Sequence, residues 1–137
     1  MINQIKNIAK KNFDNIIKVR RHLHQIPELS FEEYKTSQSI QDFLKLHDIP
    51  FTAGIVKTGI IAKIEGENPH SKEIVLRADM DALPIDEKND VDYKSMNKGI
   101  MHACGHDVHS ASLLGAALIL KELKDSFNGT IKMIFQP

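Results

Sequence analysis

The sequence predicts an α/β fold, helices packed on a mixed or parallel sheet, from three observations. Two amphipathic segments with apolar residues at spacings of three and four open the chain, the pattern turns extended beyond Pro50, and the aliphatic run Ile74-Val75-Leu76 precedes a helix rich in small residues. At 137 residues, 42% hydrophobic and 26% charged, the chain can bury one domain-sized core. Eighteen basic side chains balance eighteen acidic ones, so no net field draws it to nucleic acid or to an anionic membrane, and neither partner is expected.

From Ile2 to about Arg21, Ile5, Ile8, Ala9, Phe13, Ile16 and Ile17 form one apolar face, and Pro27 marks a stop because it has no amide to donate. His22 and His24 read as a solvated helix end. Ser30-Phe-Glu-Glu33 has the form of a capping box and predicts the start of a second helix, whose stripe is Tyr34, Ile40, Phe43, Leu44 and Leu46 and whose end is His47-Asp48-Ile49-Pro50.

Phe51–Val56 and Gly59–Ile64 read as strands, and Glu65–Lys72 as a turn. Ile74-Val75-Leu76, without a polar interruption, predicts a strand buried on both faces. It leads into Arg77-Ala-Asp79-Met-Asp81, and ligand sites in open α/β sheets gather beyond the carboxyl ends of strands. Asp86–Lys98 reads as a surface excursion, Val108–Lys124 as a helix whose small residues allow close approach to a sheet, and Thr130–Phe135 as a last strand.

Chemistry concentrates in Met101–His109, which holds three of the seven histidines and the only cysteine. The thiolate of Cys104 and the imidazole of His106, two apart across a glycine, can face one cation. That pair does not choose among zinc, manganese, cobalt and nickel. Cys104 as a nucleophile activated by His106 or His109 is the alternative, separable because a thiol enzyme survives chelation. A lone cysteine forms no internal disulfide, and no apolar run has the length of a signal peptide or membrane span, so a cytoplasmic location is expected.

Four motifs in order, His24–Glu33, Arg77–Pro84, Gly99–Asp107 and Ile131–Pro137, resemble those of the M20 metallopeptidases, in particular the branch of hippurate hydrolases, N-acetyldiaminopimelate deacetylases and auxin-conjugate hydrolases. The resemblance implies a three-layer α/β/α catalytic domain of which residues 1–137 are the N-terminal part, with the lid and dimerisation domain and the rest of the catalytic domain absent. It implies two divalent metals per full site, Cys104 and His106 as ligands, and Asp81 as the catalytic carboxylate that orients a ligand imidazole. Asp79 stands where other branches place a histidine ligand, while Asp107 and His109 take supporting or capping roles. The implied reaction is hydrolysis of small N-acyl amino acids by a metal-activated water, in proteins that are often homodimers. The general base, a glutamate that follows the Gln136-Pro137 position in the family, is not in this sequence, so the chain alone is expected to be inactive. A truncated, non-catalytic remnant is the competing expectation.

Overall fold

The computed structural model describes residues 1–137. The elements run α1 (Ile2–Gln25), α2 (Tyr34–Leu46), β1 (Phe51–Ile55), β2 (Gly59–Glu65), β3 (Glu73–Asp79), α3 (His106–Glu122) and β4 (Thr130–Gln136). One sheet in the order β1-β2-β4-β3 is antiparallel except for the parallel pair β3 and β4. This is the mixed α/β architecture expected. No helix is long and apolar enough to cross a membrane.

The period of two along β2 and β4 sets the core. Ile60, Ala62 and Ile64 of β2 and Met133 and Phe135 of β4 are buried, and they meet Ile40, Phe43 and Leu44 of α2 and Leu113, Leu114, Ala117 and Leu118 of α3. α1 lies outside against α3. A methyl group built on Gly115 would already touch Ile16 of α1 at 3.4 Å, so this small residue serves helix-to-helix contact and not contact with the sheet.

Three local expectations change. Ile74 and Val75 are each 50% exposed, not buried on both faces: β3 is an edge strand, and the helices cover only the sheet face that carries Leu76 and Ala78. Ser30-Phe-Glu-Glu33 makes no capping box. The carboxylate of Glu28 instead accepts hydrogen bonds from the amides of Lys35 and Thr36 at 3.1 and 2.9 Å, capping α2 from a distance. Glu33, fully buried, accepts from the Phe31 amide at 3.0 Å and from the Thr58 hydroxyl at 2.6 Å, tying the loop before α2 to the β1–β2 hairpin.

The third concerns residues 80–105, which contain no regular element yet are not a loose excursion. Glu87 is buried and accepts from the Ser95 amide at 2.6 Å, while the Ser95 hydroxyl donates to the Ile100 carbonyl at 2.7 Å. Met96 N donates to Gln25 O at 2.9 Å, and Asn97 Nδ2 donates to Pro27 O at 2.7 Å. A buried carboxylate thus organises a segment whose composition is that of a surface loop.

Candidate metal centre

Two carboxylates and two imidazoles meet where β3 ends and α3 begins. Asp79 closes β3 opposite Gln136 of the parallel strand β4, so it stands at the carboxyl rim of the sheet. α3 starts after Gly105, whose φ of +90° suits glycine and turns the chain sharply into the helix. His106 and His109, three apart in the first turn, share the helix face that looks at β3. The Ser110 hydroxyl pins this turn to the strand by donating to the Asp79 carbonyl at 2.9 Å.

The Nδ1 of His106 lies 2.9 Å from Asp81 Oδ1 and 3.0 Å from the Asp81 carbonyl. With two acceptors beside it, Nδ1 is the nitrogen placed to donate, and Nε2 is the one left to face a cation. That nitrogen faces Asp79 Oδ2 at 3.5 Å. His109 Nδ1 lies 2.7 Å from Asp79 Oδ1, and the two imidazole rings stack with centroids 5.6 Å apart. One donor atom each from Asp79, His106 and His109 fall within 4.8 Å of one another.

The electrostatics suit a cation. Burial pushes the Asp79 carboxyl pKa up, but the hydrogen bond from His109, the backbone, and the charges of His106 and Arg77 together hold it below the ordinary carboxylate value. Arg77 Nη1 donates to Asp79 Oδ2 at 2.9 Å and its Nε to the Gln136 side chain at the same distance, which fixes the carboxylate's direction. An ionised carboxylate, an imidazole with its far nitrogen held by a second carboxylate, and a third nitrogen in reach form a donor set that fits a divalent transition ion.

Of the residues expected from the sequence, Asp81 and His106 are brought into contact. Cys104 is exposed on the loop before α3 and is not one of the three residues that converge. Asp79 and His109 take larger parts than the sequence suggested. For His109 the signal was available, since two histidines three apart at the start of a helix share a face.

Behind the rim lies a buried polar cluster that sequence reasoning missed. His24, expected at a solvated helix end, is 3% exposed, with Nδ1 2.7 Å from Asp107 Oδ2 and Nε2 3.0 Å from Glu87 Oε1. Arg20 Nε meets the same Asp107 oxygen at 2.9 Å. His102 is also buried, its ring 6.2 Å from that of His24, and neither of its nitrogens has a hydrogen-bond partner. Burial pulls its pKa down to about 4 against the opposing pull of Asp107.

Comparison with known proteins agrees with this geometry. Residues 75–137, which carry Asp79, Asp81 and the 101–109 cluster, match the profile of Peptidase family M20/M25/M40. The chain is 54% identical to N-acetyl-L-cysteine deacetylase of Bacillus subtilis over 89% of its own length and 29% of that protein's. It is 46% identical to thermostable carboxypeptidase 2 of Saccharolobus solfataricus over all of its length and 35% of that protein's. Among solved structures, the Bacillus subtilis protein YXEP, described as a dinuclear metal-binding peptidase of the M20 family, superposes with a TM-score of 0.84 at 41% identity, over 96% of this chain and 36% of that one. The chain therefore spans about a third of the length of the relatives it matches.

Proposed function

We propose, for a chain that belongs to the M20/M25/M40 peptidase family and spans about a third of its relatives' length, that it supplies part of the metal centre of a hydrolase acting on the amide bond of small N-acyl amino acids. The observation that carries this reading is the Asp81–His106 contact at 2.9 Å, which commits Nδ1 and turns Nε2 toward the carboxylate of Asp79. A carboxylate behind a ligand imidazole fixes the tautomer, aims the ring and raises its basicity.

Asp79 offers negative charge at the rim, Arg77 holds that carboxylate in place, and His109 adds a nitrogen on the solvent side. Cys104, exposed one turn of chain earlier, is the further ligand that the family resemblance calls for. When bound, divalent ions supply the Lewis acidity that activates water and polarises an amide carbonyl. The base that takes the water's proton is not among the groups gathered here. Turnover is expected of a polypeptide that adds a glutamate at this rim, and these 137 residues alone are expected to bind metal weakly without turnover.

The deacetylase relative's name supports N-acyl amino acids as the substrate class, and the carboxypeptidase relative's name supports a broader amide range. Cobalt(II) titration of the chain and its Asp81→Asn and His106→Gln variants tests the centre. The expected result is a d–d spectrum that His106→Gln abolishes and Asp81→Asn weakens by about tenfold or more in affinity. Equal binding by all three sinks the assignment. The thiol alternative has no imidazole hydrogen-bonded to Cys104, and chelation decides it: amide hydrolysis by a longer polypeptide that survives chelator would replace the metal reading.

A further inference from the structure

The buried cluster behind the rim contributes no atom to the metal group, yet it touches both segments that build it. Asp107 follows His106 directly in the first turn of α3 and is 1% exposed. Consecutive helical residues are rotated by about 100°. An anchor that fixes where Asp107 points therefore also fixes where His106 and His109 point.

That anchor is double, since Arg20 Nε at 2.9 Å and His24 Nδ1 at 2.7 Å converge on one Asp107 oxygen. The other side of the His24 ring reaches Glu87 at 3.0 Å, and Glu87 gathers the 80–105 segment through the Ser95 amide and the Asn89 side chain. This segment carries Asp81 at one end and Cys104 at the other. Both His24 nitrogens lie within hydrogen-bond distance of carboxylate oxygens, and a single ring joins α3 to the segment that holds the orienting aspartate. Tyr93 packs edge-on against His24 with centroids 5.6 Å apart, and Arg20 and Arg21 lie over the tyrosine ring, which closes the ring's surroundings to rotation.

We propose that His24 is a positioning residue for the candidate metal centre: clamped between Asp107 and Glu87, it sets the rotation of the first turn of α3 against the 80–105 segment and so aims His106 at the cation. The proposal rests on the metal reading above, but its first test does not need metal. In the metal-free chain, ¹⁵N spectra of the histidine rings report the tautomer of His106, which the Asp81 contact holds as a single Nδ1–H form.

In His24→Phe, which keeps an aromatic ring without donors, and in Glu87→Gln, which keeps the size of the side chain, the His106 signals are expected to move toward a mixture of tautomers. The amide signals of β2 and β4 should stay in place. Cobalt(II) affinity should fall by about tenfold or more in both, within the range seen when outer partners of metal ligands are removed. Glu87→Gln carries the test if the phenylalanine variant does not fold. A His106 ring that keeps one tautomer in the folded variants overturns the clamp, whatever the metal does. A tautomer that responds in a chain that never binds cobalt(II) upholds the clamp and removes the metal reading instead.

Discussion

Replacing His102 by phenylalanine should remove a defined part of the protein's acid sensitivity. The ring is 4% exposed with both nitrogens unpartnered, and burial lowers its pKa to about 4 from an ordinary 6.5. In the folded chain the ring is neutral at any pH well above 4, whereas in the unfolded chain it takes up a proton below about 6.5. The unfolded state thus binds more protons in this window, and stability falls as pH falls. The contribution is fully present above pH 6.5, is lost progressively from there to about 4, and is gone below. Over the whole interval the loss is about 3 kcal/mol, with ~2 kcal/mol of it already gone at pH 5.

Phenylalanine keeps the ring's shape and cannot be protonated. It also removes two buried polar atoms without partners, a cost of about 1–3 kcal/mol in general. Urea denaturation followed by circular dichroism, with chelator present and at several values between pH 7.5 and 4.5, should show the variant equal to or more stable than the parent at neutral pH. The gap should widen steadily on acidification. Parallel stability curves for the two proteins would refute the reasoning, because they would mean that His102 is charged, or solvated, in the native state.

The other expectations are local. Glu87 is buried, and although burial alone would raise its pKa, hydrogen bonds from Ser95, His24 and Asn89 hold it below the usual 4.5. Its stabilising effect is therefore present above that value and lost as pH falls through the lowered one, and Glu87→Ala should cost about 3 kcal/mol at pH 7 in the same denaturation assay. Val56 and Lys57, at the tip of the β1–β2 hairpin, have φ of +47° and +73°. A branched side chain is strained there, so the double change Val56→Asn with Lys57→Gly should stabilise by about 1 kcal/mol and raise the melting temperature. A β-carbon at Gly66 would lie 2.4 Å from the Phe127 carbonyl oxygen and 2.6 Å from its ring. Gly66→Ala should accordingly destabilise by about 1–3 kcal/mol, which a thermal melt would register.

The helices and strands were legible because their periods are clear: Ile40, Phe43 and Leu44 on α2, and Ile60, Ala62 and Ile64 on β2, stand at the spacings that bury one face. The order of motifs suggested only that Asp81 orients some ligand imidazole; that it meets His106 was not legible, since no local pattern says that residues 25 apart will touch. What stayed hidden depends on partners distant in sequence. His24 looks like an exposed helix end until Asp107 and Glu87, 83 and 63 positions away, are folded around it. Ile74 and Val75 look like an interior strand because apolar content records burial of some kind and cannot say how many neighbours a strand has. The capping residue of α2 was misplaced for the same reason, since a carboxylate six positions before Tyr34 reached the free amides that Ser30 was expected to serve.

The strand order has a consequence for how this part of the sheet forms. β4, which follows the other three along the chain, inserts between β2 and β3 and joins them. Until Thr130–Gln136 has cleared the ribosome, the β1–β2 hairpin and β3 have no common neighbour, and Met133 and Phe135 are missing from the middle of the core. The hairpin and β3 should therefore stay unjoined, their apolar faces open, until β4 has emerged.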